Sequence, residues 1–375
     1  MLPEKLYQKL EKRKAENAFR TLGSTNELVD FSSNDYLGFS RSFSILDSAN
    51  SLLTSQHLRL NGATGSRLLS GNHSLYDTLE THLKSVHQTE RALVFNSGYS
   101  ANLGLIASVA QRGDLILFDE LCHASIREAI SMNNAKAYKF KHNDLKDLEA
   151  SLHKFITSGD QEVYIITESV FSMDGDSPDL NAVVKLARAH HSHVIIDEAH
   201  ALGVFNYGLV QELNLQDEVF ARIVTFGKAL GTHGAAVLGS EDLINYLINF
   251  SRPFIYTTGL PPHTVASILA SYEQLRVKEH PNALKAVITV FKDTLIQFQL
   301  NHLFIESHSA IQCAIISGNE AVKQIAHQLQ SKGFDVKPIL SPTVPRGEER
   351  LRFCLHSYNS KEEISEVLSL LATFV

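Results

Sequence analysis

Short apolar runs alternate with longer stretches of helical periodicity through most of the chain. The runs are ALVF (92–95), LILF (115–118), AKAYKF (135–140), VYIIT (163–167), HVIID (193–197), RIVTF (222–226) and AAVLG (235–239). Between several of them lie helix candidates such as 181–191, where Val184, Leu186, Ala187 and His191 fall mostly on one face. Runs that are continuous rather than alternating imply strands buried on both faces, hence a mainly parallel sheet sandwiched by helices. After about residue 275 the pattern changes to a long helix over 263–300, the run SAIQCAIIS (309–317), a helix near 319–331 and the run RLRFCLH (350–356). That order predicts a smaller C-terminal α+β domain behind an α/β core. The expected division is an N-terminal helix and segment over 1–45, a large domain over 46–275 and a small domain over 276–375.

Composition narrows the partners. The 375 residues are 44% hydrophobic and 20% charged, with a formal net charge of −7 and a sequence pI near 6.2. This balance gives no electrostatic case for nucleic acid. Cys122, Cys313 and Cys354 are widely spaced and odd in number, which suggests neither a disulfide framework nor a zinc site, so no metal is expected and a reducing cytoplasm fits. The opening stretch MLPEKLYQKLEKRKAENAFR reads as a charged amphipathic helix rather than a signal peptide, and no apolar run suits a membrane span.

Ligands of open parallel sheets bind outside the carboxyl ends of the strands, so the residues after each run carry the chemistry. They are Asn96, Ser97, Gly98 and Tyr99; Asp119 and His123; Glu168 and Ser172; Asp197 and His200; Gly227 and Lys228. An aspartate or serine after a strand is more often a helix cap than a functional group. Recurrence at one end of one sheet raises the site reading. Lys228, just past a strand in TFGKALG, would be partly desolvated and so suited to act as an amine nucleophile toward a carbonyl. A lysine stem covering the core with its head in water is the plainer reading of Lys228 alone. With Asp197 the pair suits pyridoxal 5'-phosphate, where a lysine carries the aldehyde as a Schiff base and a carboxylate holds the ring nitrogen protonated. A carboxylate and a pyridinium about 3 Å apart attract by roughly 5 kcal/mol at an effective dielectric near 20, before desolvation. His200 suits the phenolic oxygen, His123 the ring face, and the helix opened by NSGYSAN (96–102) the phosphate. The letters DEAH at 197–200 also occur in helicases, but no GxxxxGK[ST] phosphate loop accompanies them, and GxGxxG is absent too.

Nine segments then become recognisable in order: FSSNDYLGFS, NGATGSRLLSGNH, NSGYSANLG, DELCHAS, TESVFSMDGD, DEAHALGVFNYGL, TFGKALGTHGAAVLG, IYTTGLPP and SPTVPRGEERLRF. From about residue 30 to residue 358 the chain resembles the α-oxoamine synthase family of fold-type I pyridoxal phosphate enzymes. Within it, the resemblance is greatest to the member that condenses L-alanine with a pimeloyl thioester, on coenzyme A or a carrier protein, in biotin synthesis; members using glycine or serine share the same cofactor residues. The resemblance implies an aminotransferase-like α/β fold with a mainly parallel seven-stranded sheet, and a homodimer with shared active sites. By it, Lys228 matches the Schiff-base lysine, Asp197 the partner of the ring nitrogen, His200 the residue near the phenolic oxygen and His123 the residue stacked on the ring. Gly98, Tyr99 and Thr225 match phosphate positions, and Thr257 a phosphate contact supplied from the other subunit. Arg352 matches the arginine that grips the amino-acid carboxylate; Asn34, Glu168 and Ser172 lie near substrate and ring; Arg20 matches an arginine meeting the acyl substrate. Two departures stand out: LHSYNS (355–360) replaces the usual AxHT, and STNELVDFSSND (24–35) leaves little room for an N-terminal hairpin.

Overall fold

The computed structural model describes residues 2–22, 27–156 and 160–375. Part of STNELVDFSSND, residues 24–26, lies outside the described residues. The strands in chain order are β1 (Val29–Asp30), β2 (Arg91–Phe95), β3 (Leu115–Asp119), β4 (Lys136–Phe140), β5 (Val163–Glu168), β6 (His193–Asp197), β7 (Ala221–Thr225), β8 (Ala235–Gly239), β9 (Ile311–Ile315), β10 (Phe334–Asp335), β11 (Lys337–Ile339) and β12 (Arg350–Cys354). All seven expected runs of the core are strands.

Residues 34–172 and 177–282 form the larger unit. Its sheet has seven strands in the order β2-β8-β7-β6-β5-β3-β4. Only β8 runs against the rest, pairing antiparallel with β2 and β7. The reason the runs are continuous is visible in where alternate residues go. On one face Ile116, Ile166, Ile195 and Ile223 join a cluster with Leu105 and Ile126. On the other, Leu117, Ile165 and Ile196 join Leu148, Val184 and Val210. Each strand thus buries both faces under helices. The edge strand β4 departs from this: Lys136, Tyr138 and Lys139 are exposed, and charges at an edge discourage further strand pairing. Several polar residues after strands are indeed caps. Ser97 caps Gly98–Val109 with a reciprocal bond from Ser100, Asp144 caps Leu145–Phe155, and Asp179 caps Leu180–Ala189.

Residues 1–33, 173–176 and 283–375 form the smaller unit. A three-stranded antiparallel sheet, β11-β12-β9, is its centre. Of the expected 1–45 segment, residues 1–33 fall in this unit and 34–45 in the larger one. β1 pairs in parallel with β10, and the Phe31 carbonyl accepts the Cys354 amide at 2.8 Å. The stretch 173–176 is held to β12 and β9, where Arg350 bonds the Met173 carbonyl and pairs with Asp174, and Cys313 Sγ lies 3.1 Å from the Met173 carbonyl. The expected long helix over 263–300 is two helices, Pro262–Arg276 and Glu279–Gln297. Lys278 between them has φ +60°. Pro281 is the cause: inside a continuous helix it would remove a backbone bond and clash with the preceding turn, whereas in a first turn its missing N–H has no partner to lose. No described helix is long and apolar enough to cross a membrane.

Candidate cofactor site

The carboxyl ends of the parallel strands in the larger unit enclose a cavity of about 260 Å³ lined by Asn34, Gly98, Tyr99, Asn102, His123, Ser125, Glu168, Asp197, His200, Thr225 and Lys228, among others. β6 ends in Asp197, β5 in Glu168 and β7 in Thr225, while Lys228 lies three residues beyond β7 and His123 four beyond β3. One sheet edge therefore gathers most of the expected residues.

Asp197 is 5% exposed. Its Oδ1 accepts the Ala199 amide at 2.9 Å and its Oδ2 accepts Asn102 Nδ2 at 2.7 Å. Each oxygen of this buried carboxylate thus has a donor. Asn102 Nδ2 also reaches Ser125 Oγ at 3.1 Å, and that hydroxyl lies 2.8 Å from His123 Nδ1. A chain of polar contacts thus joins His123 to Asp197. Burial lowers the pKa of His123, with Asp197 opposing and Lys228 adding to the shift, so the imidazole is neutral at pH 7. Glu168 accepts the His123 amide at 2.6 Å. Burial, reinforced by the charge of Asp197, pushes it up to about 8. Lys228 Nζ lies 2.7 Å from His200 Nε2, and Tyr36 Oη lies 2.8 Å from His200 Nδ1. The second carboxylate of DEAH, Glu198, turns away from the site to a buried pairing with Arg222 at 3.7 Å, and burial raises it to about 7.

A helix start supplies the anion end of the cavity. In the first turn of Gly98–Val109 the Ala101 amide bonds the Ser97 carbonyl at 2.9 Å and the Ser100 amide bonds Ser97 Oγ at 3.1 Å, which leaves those of Gly98 and Tyr99 for an anion, and the dipole there favours negative charge. Gly98 is required by packing, since a Cβ there would come 2.5 Å from Thr225 Cγ2. Asn102 Oδ1 is buried without a hydrogen-bond partner in the structure. A helix start, an amine, a buried carboxylate and a buried polar atom without a partner around one cavity are a set that fits pyridoxal 5'-phosphate.

Other expected residues lie elsewhere. Ser172 and Thr257 are half-buried in the larger unit and do not line this cavity; Asn96 Nδ2 is 3.5 Å from the Thr257 hydroxyl. Arg352 is buried in β12 of the smaller unit, with Nη1 2.9 Å from Cys354 Sγ. Arg20 is exposed in the same unit, 3.4 Å from the Thr343 hydroxyl. The LHSYNS departure has a structural account there. His356 is fully buried and bonds Asn359 Oδ1 through its amide at 2.9 Å, its ring lies 3.1 Å from Ser33 Oγ, and the Tyr358 hydroxyl donates to Asp30 at 3.0 Å. These residues tie the end of β12 to β1. Sequence reasoning missed Tyr36, Asn102 and Ser125, although all three stand inside the quoted motifs. The signal for Asn102 is the one carboxamide in a helix, GYSANLGLIASV, that carries no charged residue.

Comparison with known proteins agrees with this geometry. A profile of the aminotransferase class I and II family matches residues 26–371. The chain is 40% identical over 375 residues to an 8-amino-7-oxononanoate synthase of Emericella nidulans, covering 92% of this chain and 89% of that one. It is 33% identical to the enzyme of the same name from Saccharophagus degradans, covering 99% and 96%. Among solved structures, a serine palmitoyltransferase variant from S. paucimobilis with a bound PLP–myriocin aldimine superposes with a TM-score of 0.88 at 25% identity, covering 99% of this chain and 96% of that one. An 8-amino-7-oxononanoate synthase from Francisella tularensis gives 0.78 at 26% identity, covering 93% and 98%.

Proposed function

The chain belongs to the aminotransferase class I and II family, as an α-oxoamine synthase and acyltransferase that uses pyridoxal 5'-phosphate, and we propose that it condenses L-alanine with a pimeloyl thioester. The products are 8-amino-7-oxononanoate, CO2 and the free thiol of coenzyme A or a carrier protein. The single observation that carries the reading is one cavity lined by Lys228, Asp197, His200 and His123 at the carboxyl edge of a parallel sheet. The relatives named 8-amino-7-oxononanoate synthase supply the substrate assignment.

When bound, the cofactor takes up the electron pair released as a bond to the amino acid's Cα breaks. The remaining work belongs to side chains. Asp197 keeps a proton on the ring nitrogen. Lys228 Nζ removes the Cα proton of alanine and later returns one to the same carbon after CO2 has left. His200, beside Lys228, orients that amine, and the His123 imidazole closes one face of the cavity against water. Arg352 is the residue for the alanine carboxylate, suited by its planar fork, and Arg20 for the acyl substrate. The working form is a cytoplasmic homodimer in which Thr257 serves the phosphate of the second copy.

A member using glycine or serine with another acyl thioester is the second reading, and the higher TM-score of the serine palmitoyltransferase favours it. The test is an absorbance titration of the protein loaded with pyridoxal 5'-phosphate against L-alanine, glycine and L-serine, followed by turnover with pimeloyl thioester. Alanine should shift the band at the lowest concentration and be consumed only with the thioester. Preference for glycine or serine would replace the substrate assignment, and a band that survives in Lys228→Ala would overturn the role of the lysine.

A further inference from the structure

Hydrogen bonds around His200 run in one direction. Lys228 Nζ is 2.7 Å from His200 Nε2, His200 Nδ1 is 2.8 Å from Tyr36 Oη, and Tyr36 Oη is 3.0 Å from Asn34 Oδ1. An ammonium only donates, so with Lys228 protonated Nε2 accepts, and the neutral ring carries its proton on Nδ1. That proton points to the Tyr36 oxygen, and the Tyr36 hydroxyl donates onward to Asn34. Tyr36 has no exposed surface and His200 is 5% exposed, so bulk water does not replace these bonds.

We propose that Tyr36 is a positioning residue that sets the tautomer of His200, its hydroxyl reversing between Asn34 and His200 as Lys228 is engaged or released. The inference rests on the cofactor reading of the cavity. Once Lys228 Nζ is committed to the cofactor's aldehyde carbon, it no longer offers an ammonium to Nε2. The cofactor's phenolic oxygen, the partner assigned to His200, accepts rather than donates, so the ring proton belongs on Nε2. Nδ1 then becomes an acceptor, and the Tyr36 hydroxyl turns to it. Asn34 Oδ1 loses that donor at the same moment. A hydroxyl can serve both states since it donates and accepts; phenylalanine can serve neither.

The experiment is a pH titration of the lysine-dependent absorbance band in protein loaded with pyridoxal 5'-phosphate. Wild type is compared with Tyr36→Phe, Asn34→Ala, His200→Asn and the Tyr36→Phe/His200→Asn double variant, with thermal unfolding run on each. The other titratable groups around the cavity are Asp197, Glu168, His123, His233 and Tyr99, and all remain in every variant. Tyr36→Phe weakens donation from His200 to the phenolic oxygen, leaves more negative charge beside the lysine nitrogen, and raises the midpoint by about half a pH unit or more. Asn34→Ala removes the competing acceptor and moves the midpoint down, which keeps the test decisive if Tyr36→Phe does not fold. In the His200→Asn background the Tyr36→Phe shift disappears. A normal wild-type band whose midpoint is unmoved in Tyr36→Phe, or an equal shift with and without His200, overturns the inference alone. A wild-type protein with no lysine-dependent band overturns the cofactor reading and the inference together.

Discussion

Glu168 ends β5 with 3% exposure, and its carboxyl is pushed up to about 8 from an ordinary 4.5, first by burial and then by the charge of Asp197, with the His123 amide opposing. Between those two values the folded, cofactor-free protein holds a proton that the unfolded chain has released. The native state then binds more protons than the unfolded one, so the unfolding free energy falls as pH rises. The contribution is fully present below about pH 4.5 and is lost progressively up to about pH 8. One proton corresponds to about 1.4 kcal/mol per pH unit, so from about pH 6 to about pH 7.5 this carboxyl alone removes about 2 kcal/mol. Glu168→Gln keeps the oxygen that accepts the His123 amide, has the shape of the protonated acid, and cannot ionise. Urea denaturation of the cofactor-free wild type and variant across that range is the assay. Wild type should decline by about 2 kcal/mol more than the variant. The carboxyl of Glu198, raised to about 7, titrates in both proteins and cancels in the difference. Parallel pH profiles would refute the reasoning and leave Glu168 ionised in the fold. The outcome bears on function, because a neutral carboxyl donates a hydrogen bond into the cavity and a carboxylate cannot.

Asn102→Ala removes the amide that donates to Asp197 Oδ2 at 2.7 Å. A hydrogen bond to a charged group contributes about 1.5–3 kcal/mol, so the dissociation constant for pyridoxal 5'-phosphate should rise roughly ten- to a hundredfold in a fluorescence titration; an unchanged constant would show that the Ala199 amide suffices. Gly98→Ala places a methyl 2.5 Å from Thr225 Cγ2, and overpacking of that kind costs about 1–3 kcal/mol. Cofactor affinity should fall accordingly and recover in Gly98→Ala/Thr225→Ser, which deletes the opposing methyl; a double variant as weak as the single one would exclude that contact as the cause.

Much of the architecture was legible because local and global demands agree. Runs such as VYIIT are continuous only where a strand buries alternate residues under helices on both faces, so they announced the parallel sheet, and β4, with its lysines, is the one run that breaks the pattern and lies at an edge. The rule that ligands meet the carboxyl ends of parallel strands then placed Asp197, Glu168, Lys228 and His123 together before any coordinates. Helix continuity was less legible. Periodicity carried smoothly across 263–300, and the break at Lys278 follows from backbone geometry around Pro281 rather than from any loss of apolar spacing.

The amino-acid sequence by itself determined the fold class, the cofactor and the strand ends that serve it, because residue type and spacing fix which groups a sheet edge can present. Tertiary structure alone decided the partners of those groups. Tyr36 and His200 are 164 positions apart, Asn102 and Asp197 are 95 apart, and β1 pairs with β10 some 305 residues downstream. Such contacts leave no periodic trace in the chain. They arise only when packing closes the long loops between them, and with them come burial, tautomer and proton affinity, which are properties of an environment rather than of a residue.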